Sequence, residues 1–199
     1  APLLGSGSFF PVGPTTVTYT ATDGSAATAT CTFIVNVIDN EAPVLLDMPT
    51  NISVLSDPMA CGAFVEWDEP RADDNCAATL IADHVSGTEF PVGTSVVTYS
   101  ASDGTHTTNA SFLITVADTE DPVITCPTDD TLELDPYDCS LLMPIYAASA
   151  MDNCDIDSIW QSNGPLPGDL LNGGTPTYYT QWSAVDLSGN TNTCLQRID

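Results

Sequence analysis

Hydrophobic and polar residues alternate with a period of two along several short segments of the chain. Residues 16–21 and 96–101 alternate in this way and are rich in β-branched and aromatic side chains, and so are residues 32–37 and 111–116. An Asp-Gly dipeptide, which favours a tight turn, lies between the two segments of each pair. The pattern predicts antiparallel hairpins. No segment shows a helical stripe longer than two turns.

These hairpins belong to a repeating unit. Residues 6–13 match residues 86–93, which lie 86 − 6 = 80 positions later. The repeat borders read Asp-Asn-Glu-Ala-Pro from position 39 and Asp-Thr-Glu-Asp-Pro from position 118, so that one repeat spans 118 − 39 = 79 residues. We therefore divide the chain into a C-terminal half repeat (1–39), a complete middle repeat (40–118) and a complete or nearly complete last repeat (119–199). Short strands separated by Gly, Pro, Asn and Asp predict an all-β fold of tandem antiparallel β-sandwiches.

Seven cysteines recur at equivalent positions of the repeats. The last repeat has four, whereas the middle repeat keeps the inner two and has Met48 and Ala110 at the outer positions. Because the outer two are lost together and the inner two are kept together, we expect each pair to form a disulfide, in an oxidising compartment. The expected disulfides are Cys61–Cys76, Cys139–Cys154 and Cys126–Cys194. Free buried thiols are the alternative, and Cys31, equivalent to Cys194, is left over.

The half repeat needs a partner. Half a sandwich exposes its core face and its strand edges to water, which is unfavourable. The last repeat also ends in a shorter and less apolar segment, which predicts a weak last strand. Two interpretations remain open. Another subunit completes the half repeat, and residues 1–10 of a neighbouring copy fill the place of the weak last strand by strand addition, which builds a head-to-tail filament. Alternatively, the chain is cut from a longer array.

Four short motifs characterise the repeats. The last repeat contains Cys126-Pro, Asp152-Asn-Cys154 and Asp186-Leu-Ser-Gly-Asn190, and the middle repeat contains Asp74-Asn-Cys76 and Phe90-Pro-Val-Gly93. In this combination the chain resembles the hyalin repeat, an immunoglobulin-like extracellular module. The last repeat departs from the pattern, because a longer stretch replaces Phe-Pro-Val-Gly. The resemblance implies immunoglobulin-like sandwiches used in tandem in secreted or cell-surface proteins, and it does not imply catalysis.

The charge excludes several classes of function. The chain carries 27 acidic residues against two basic ones, Arg71 and Arg197, and its formal net charge is −25. We therefore expect no binding to nucleic acid or anionic lipid. No run of 18 apolar residues is present, so we expect no membrane insertion. His84 and His106 are isolated, and the motifs of metalloproteases, serine hydrolases and phosphate-binding loops are absent, so we expect no enzyme.

Acidic residues cluster where the repeats join. The candidate calcium ligands are Asp39, Glu41, Asp118, Glu120 and Asp121. Calcium takes six to eight oxygen ligands, and bound calcium would stiffen the junctions. Solvated turn acids are the alternative interpretation. The turn acids Asp23, Asp103 and Asp186 lie on a loop that we expect to approach a junction.

Two sequons predict glycan attachment at Asn51 and Asn109.

The expected function is that of an extracellular structural protein whose partners are copies of itself in a filament, or neighbouring repeats. A calcium-stiffened stalk for adhesion or ligand binding is the alternative. A non-catalytic accessory region of a secreted enzyme is a third possibility.

Overall fold

The computed structural model describes residues 7–173 and 176–199, and every regular element in these residues is a β-strand. The all-β fold predicted from the alternation is confirmed. The strands are β1 (Gly13–Thr22), β2 (Thr28–Val37), β3 (Val44–Leu46), β4 (Ile52–Leu55), β5 (Gly62–Val65), β6 (Arg71–Asp73), β7 (Thr79–Ala82), β8 (Thr88–Pro91), β9 (Gly93–Ser102), β10 (Thr107–Ala117), β11 (Val123–Thr125), β12 (Ser140–Leu142), β13 (Ser149–Met151), β14 (Ile156–Asn163), β15 (Leu170–Asn172), β16 (Tyr178–Asp186) and β17 (Thr191–Ile198).

The chain forms two compact bodies, and each draws on more than one repeat. The first body consists of the described part of Ala1–Leu46 together with Arg71–Ile81 and Ser100–Asn109. The second body consists of Asp47–Pro70, Ala82–Tyr99 and the described part of Ala110–Asp199.

In the first body, the half repeat is a two-stranded antiparallel ribbon of β1 and β2. The two strands pair over ten residues each, from Gly13 opposite Val37 to Thr22 opposite Thr28. The turn is closed by one carboxylate oxygen of Asp23, which accepts the backbone N–H groups of Ser25 at 2.8 Å and Ala27 at 2.9 Å. Within the described residues no third strand joins this ribbon. The described residues therefore pair neither of the outer edges of this ribbon.

The ribbon leaves exposed the side chains that a complete repeat buries. Tyr19 and Phe33 are 49% and 47% exposed, and their rings stack at 6.0 Å. The equivalent residues of the middle repeat, Tyr99 and Phe112, are only 2% and 3% exposed. Burying apolar area is the main driving force for folding, and within the described residues these two rings do not contribute to it as their equivalents do.

The middle repeat contributes a sheet with the strand order β4-β10-β9-β7 and the separate pair β5–β8. In the second body, its core is organised around Trp67. The indole N–H of Trp67 donates to the hydroxyl of Tyr99 at 2.8 Å, and the indole ring meets Phe90 and Phe112 edge-on at 5.9 and 5.4 Å. The hydrogen bond allows two polar groups to lie inside an aromatic cluster.

The last repeat lies entirely in the second body. Its strands form the sheet β14-β16-β17 and the pairs β11–β13 and β12–β15. Strand β17, which the sequence predicts to be weak, pairs with β16 from Tyr178 opposite Ile198 to Val185 opposite Thr191. It holds because Gln196 and Ile198 alternate inward and are buried. In the described residues, β17 of the same chain therefore pairs with the edge of β16 at which a donated strand would add.

The disulfides differ from the expected set. Cys126 is bonded to Cys194, as the comparison of repeats suggests. The inner pairs Cys61–Cys76 and Cys139–Cys154 are wrong: Cys61 is bonded to Cys154, and Cys76, Cys139 and Cys31 are free thiols.

The position of each inner cysteine within its repeat explains this correction. The thiol of Cys76 lies near the carboxylate of Asp39, where the middle repeat begins. Cys61 is bonded to Cys154, which lies beside Asp118, where the middle repeat ends. One inner cysteine of each repeat, Cys61 of the middle repeat and Cys154 of the last, therefore links the two repeats, whereas Cys76 and Cys139 stay free.

Candidate functional site: the repeat junctions

The junction before the last repeat is built on the carboxylate of Asp118. This buried residue accepts the backbone N–H of Glu120 at 3.1 Å and the side-chain amide of Asn153 at 3.2 Å through one oxygen. Its other oxygen accepts the hydroxyl of Ser188 at 3.1 Å. The linker, the Asp-Asn-Cys motif and the last hairpin turn therefore meet at one side chain.

The hairpin turn at this junction is held by Asp186. One of its oxygens accepts the backbone N–H groups of Ser188 and Asn190, both at 2.8 Å, and the other accepts the side-chain amide of Asn190 at 2.8 Å. Burial raises the pKa of Asp186, but these donors outweigh burial and hold the pKa below its usual value. The carboxylate is thus ionised and fixed.

Like charges gather around Asp152 of the Asp-Asn-Cys motif. Burial raises its pKa, and the negative charges of Asp118, Asp186 and Glu120 raise it further, against the hydrogen bond that the backbone N–H of Cys154 donates. The carboxylates of Asp118, Asp186 and Glu120 therefore lie close enough to Asp152 to oppose its ionisation.

A loop of the middle repeat docks onto this junction. In residues 57–61 the backbone N–H of Met59 donates to Glu120 at 3.2 Å, and the carbonyl of Ala60 accepts the amide of Asn153 at 3.0 Å. The disulfide from Cys61 to Cys154 then fixes the loop. Two hydrogen bonds and one covalent bond join the middle repeat to the last repeat at this point.

The junction before the middle repeat, in the first body, uses equivalent residues. Asp39 is buried and accepts the backbone N–H of Glu41 at 3.2 Å. The backbone N–H of Cys76 donates to Asp74 at 3.0 Å, and the amide of Asn75 donates to Glu41 at 2.6 Å. The hydrogen bond with Asp39, together with burial and nearby negative charges, raises the pKa of the Cys76 thiol.

Three groups of side chains at these junctions bring potential metal ligands within 4.8 Å of one another. They are Asp39 with Asp103 and His106, Asp39 with Asp74 and Cys76, and Asp118 with Asp152 and Cys154. Because calcium prefers oxygen, the carboxylates suit it, whereas the imidazole and the thiol do not. Cys154 is oxidised and cannot act as a thiolate.

The predicted calcium ligands are only partly brought together. Asp39 and Asp118 belong to the groups, whereas Glu41, Glu120 and Asp121 belong to none of the groups found in the described residues. Asp74, Asp152 and His106 were not predicted as ligands. The repetition of Asp-Asn-Cys was a signal that could have pointed to Asp74 and Asp152.

The two predicted glycan acceptors lie at the surface. Asn51 is exposed beside β4, and its side-chain oxygen accepts the backbone N–H of Leu113 at 2.9 Å. Asn109 is exposed on β10. Among the residues that the structure covers, no helix is long and apolar enough to cross a membrane.

Comparison of the chain with known proteins identifies several relatives. Over 92% of the chain, it is 34% identical to hyalin of Strongylocentrotus purpuratus and spans 16% of that protein. Over 47% of the chain, it is 42% identical to the sushi, von Willebrand factor type A, EGF and pentraxin domain-containing protein 1 of Mus musculus, and spans 3% of it. The crystal structure of human protocadherin-24 EC1-2 matches 80% of this chain and 99% of that chain, at 18% identity and a TM-score of 0.33.

The chain thus spans less than two thirds of the length of these curated relatives. The model of the HYR domain matches residues 3–37 and 38–116. These two matches cover the half repeat and nearly all of the middle repeat, which together are more than half of the chain. The chain belongs to the HYR domain family, the hyalin repeats.

Proposed function

We propose that this chain is an extracellular structural protein that assembles head to tail into a filament, through strands of one copy that complete the half repeat of the next. The observation that carries the proposal is the exposure of Tyr19 and Phe33, whose equivalents in the middle repeat are buried. An apolar sheet face with open edges recruits additional strands. A contact between different surfaces of identical copies does not close on itself and grows a fibre.

The family supports the same class of function. An adhesion-type extracellular repeat module has no catalytic role in general, and the named relatives are consistent with such a module. We expect secretion, no catalysis, and glycan at the exposed Asn109. The net charge of −25 keeps separate filaments from associating through their surfaces.

Negative-stain electron microscopy of the whole chain tests the filament. We expect uniform fibres whose axial repeat corresponds to a few sandwiches. Tyr19→Ser should abolish or shorten them, because it removes an exposed ring from the ribbon. Tyr179→Ser is the matched control, because Tyr179 is 52% exposed on β16 of the last repeat. Dispersed short rods from the unaltered chain, or equal fibres from both variants, would refute strand complementation.

A second candidate is a calcium-stiffened adhesion stalk. The specific observation that favours it is that the carboxylates of Asp118 and Asp152 lie within 4.8 Å of each other at one junction. Burial and the negative charges of Asp118 and Asp186 raise the pKa of Asp152 there. A divalent cation would relieve that repulsion and fix the angle between successive repeats.

A further inference from the structure

We infer that residues 135–139 and the Asp-Asn-Cys motif at 74–76 are the two halves of a covalent junction between copies. Cys139 of one copy forms a disulfide with Cys76 of a second copy, in the way that Cys61 bonds Cys154 within the chain. The inference rests on the proposed assembly of copies and adds the bond that locks it.

The two loops that carry Cys61 and Cys139 have the same construction. They read Asp57-Pro-Met-Ala-Cys61 and Asp135-Pro-Tyr-Asp-Cys139. In the first, Met59 has a φ of 62° and the N–H of Ala60 donates to the carbonyl of Asp57 at 2.9 Å. In the second, Tyr137 has a φ of 83° and the N–H of Asp138 donates to the carbonyl of Asp135 at 3.0 Å.

Both cysteine carbonyls are also used alike. The carbonyl of Cys61 accepts the N–H of Val92 at 3.3 Å, and that of Cys139 accepts the N–H of Gly173 at 2.7 Å. A left-handed backbone at a residue other than glycine costs free energy and persists where the surroundings impose it, often at binding sites. The second loop is therefore already shaped for docking before any partner arrives.

The two receiving sites match as well. At each site, the backbone N–H of the cysteine donates to the aspartate two residues earlier at 3.0 Å. Cys76 donates to Asp74, and Cys154 donates to Asp152. At each, the glutamate two residues after the buried junction aspartate donates its N–H to that aspartate. The site at Cys154 holds its loop, whereas Cys76 is a free and half-buried thiol.

The free loop presents its tip to solvent. Tyr137 is fully exposed, and Cys139 is an exposed free thiol. In the docked loop, Met59 lines a groove together with Val123 and Met151. Val44, which lies one residue after Pro43 as Val123 lies one residue after Pro122, is 55% exposed. Because Met59 is itself 88% exposed, the hydrogen bonds and the disulfide, rather than buried apolar area at the tip, hold the docked loop.

The bond forms by thiol–disulfide exchange with a small-molecule disulfide such as oxidised glutathione. The thiolate of Cys139 attacks that disulfide and releases one thiol. The thiolate of Cys76 then attacks the mixed disulfide at Cys139 and releases the second thiol. Two protein thiols lose two electrons in total, and the oxidant leaves as two thiols that carry the two protons.

Two versions of the whole chain with one free thiol each test the inference. Cys31→Ser with Cys76→Ser leaves Cys139, and Cys31→Ser with Cys139→Ser leaves Cys76. The two are mixed in equal amounts, one of them isotope-labelled, in a glutathione redox buffer, and dimers are counted by non-reducing mass spectrometry. Random pairing makes about half of the dimers mixed. We expect an excess of mixed dimers over either homodimer of about tenfold, because docking raises the effective concentration of the two thiols.

Two controls separate docking from chance collision and from misfolding. A chain whose one free thiol is Cys31, which is exposed on β2, should give random pairing with the Cys139 version. Asn75→Ala in the Cys76 version should reduce the excess, because the equivalent Asn153 donates to the docked loop. Peptide mapping must find the Cys61–Cys154 and Cys126–Cys194 bonds intact in every version.

Random pairing of Cys139 with Cys76 would overturn the inference. Fibres by microscopy with random pairing would leave the proposed filament standing without this bond. Preferential pairing without fibres would leave the bond standing and refute the filament.

Discussion

At the scale of single residues, one aspartate holds each hairpin turn. Asp186, which is buried, and Asp23, which is exposed, each accept two backbone N–H groups through a single oxygen. Short side chains that bond the backbone ahead of them fix turns in this way. The backbone bonds are the same in the two turns, so their contributions to stability differ through burial and through the side-chain amide of Asn190, which Asp186 also accepts.

Asp186→Ala should lower the free energy of unfolding by about 1–3 kcal/mol, because it leaves the N–H groups of Ser188 and Asn190 unsatisfied in a half-buried turn. Urea denaturation measures the change. Asp23→Ala is the matched control and should cost less, because water can replace the lost acceptor. An equal effect in both variants would contradict the role of burial.

The effect of Asp186→Ala on the free energy of unfolding should depend on pH. The pKa of Asp186 is lower in the folded chain than the usual value. Its contribution is therefore present above the pKa of the unfolded state and is lost as the pH falls through the folded pKa. The difference between the unaltered chain and Asp186→Ala should shrink as the pH falls below about 4. A constant difference would show that the ionised form is not required.

At the scale of elements, alternation sufficed to predict the four long hairpin strands β1, β2, β9 and β10, because a half-buried strand shows its period of two in the sequence. The segments around Tyr99 and Phe112 became β9 and β10 with those rings buried. Comparison of repeats identified equivalent cysteines, but equivalence does not show which end of a repeat each cysteine occupies. The docking of Met59 and Ala60 on Glu120 and Asn153 depends on tertiary geometry that no local pattern contains.

The disulfide from Cys126 to Cys194 ties the residue after β11 to β17 across 68 positions. Replacing both cysteines by alanine should lower the free energy of unfolding by about 2–4 kcal/mol, because the unfolded chain gains the freedom of an open loop. Thermal or urea denaturation of the oxidised chain measures it. Cys31→Ala, which removes a free thiol, is the control and should have no comparable effect. An unchanged midpoint in the double variant would contradict the prediction.

At the scale of the whole molecule, the fold determines which of the many acidic residues lie close enough to act together as ligands. The chain has 27 acidic residues, and composition alone does not separate solvated turn acids from ligands. The fold buries Asp118 within hydrogen-bond reach of Ser188 and Asn153, and it places Asp152 beside it. It leaves Asp121 exposed and outside the group. Asp121 can therefore serve as a control residue for a calcium site formed by Asp118 and Asp152.

If calcium stiffens this junction, adding it to the metal-free chain should raise the melting temperature, and a chelator should reverse the rise. At a free calcium concentration 100 times the dissociation constant, binding to the folded state alone adds about 2.7 kcal/mol to the free energy of unfolding. Asp118→Asn and Asp152→Asn should abolish the response, because each removes a charged oxygen ligand. Asp121→Asn should preserve it, because its carboxylate lies outside the group. If neither calcium nor chelator changes the melting curve, the buried carboxylates act only as hydrogen-bond acceptors. The two repeats are then held together by the Cys61–Cys154 bond and the loop that it fixes.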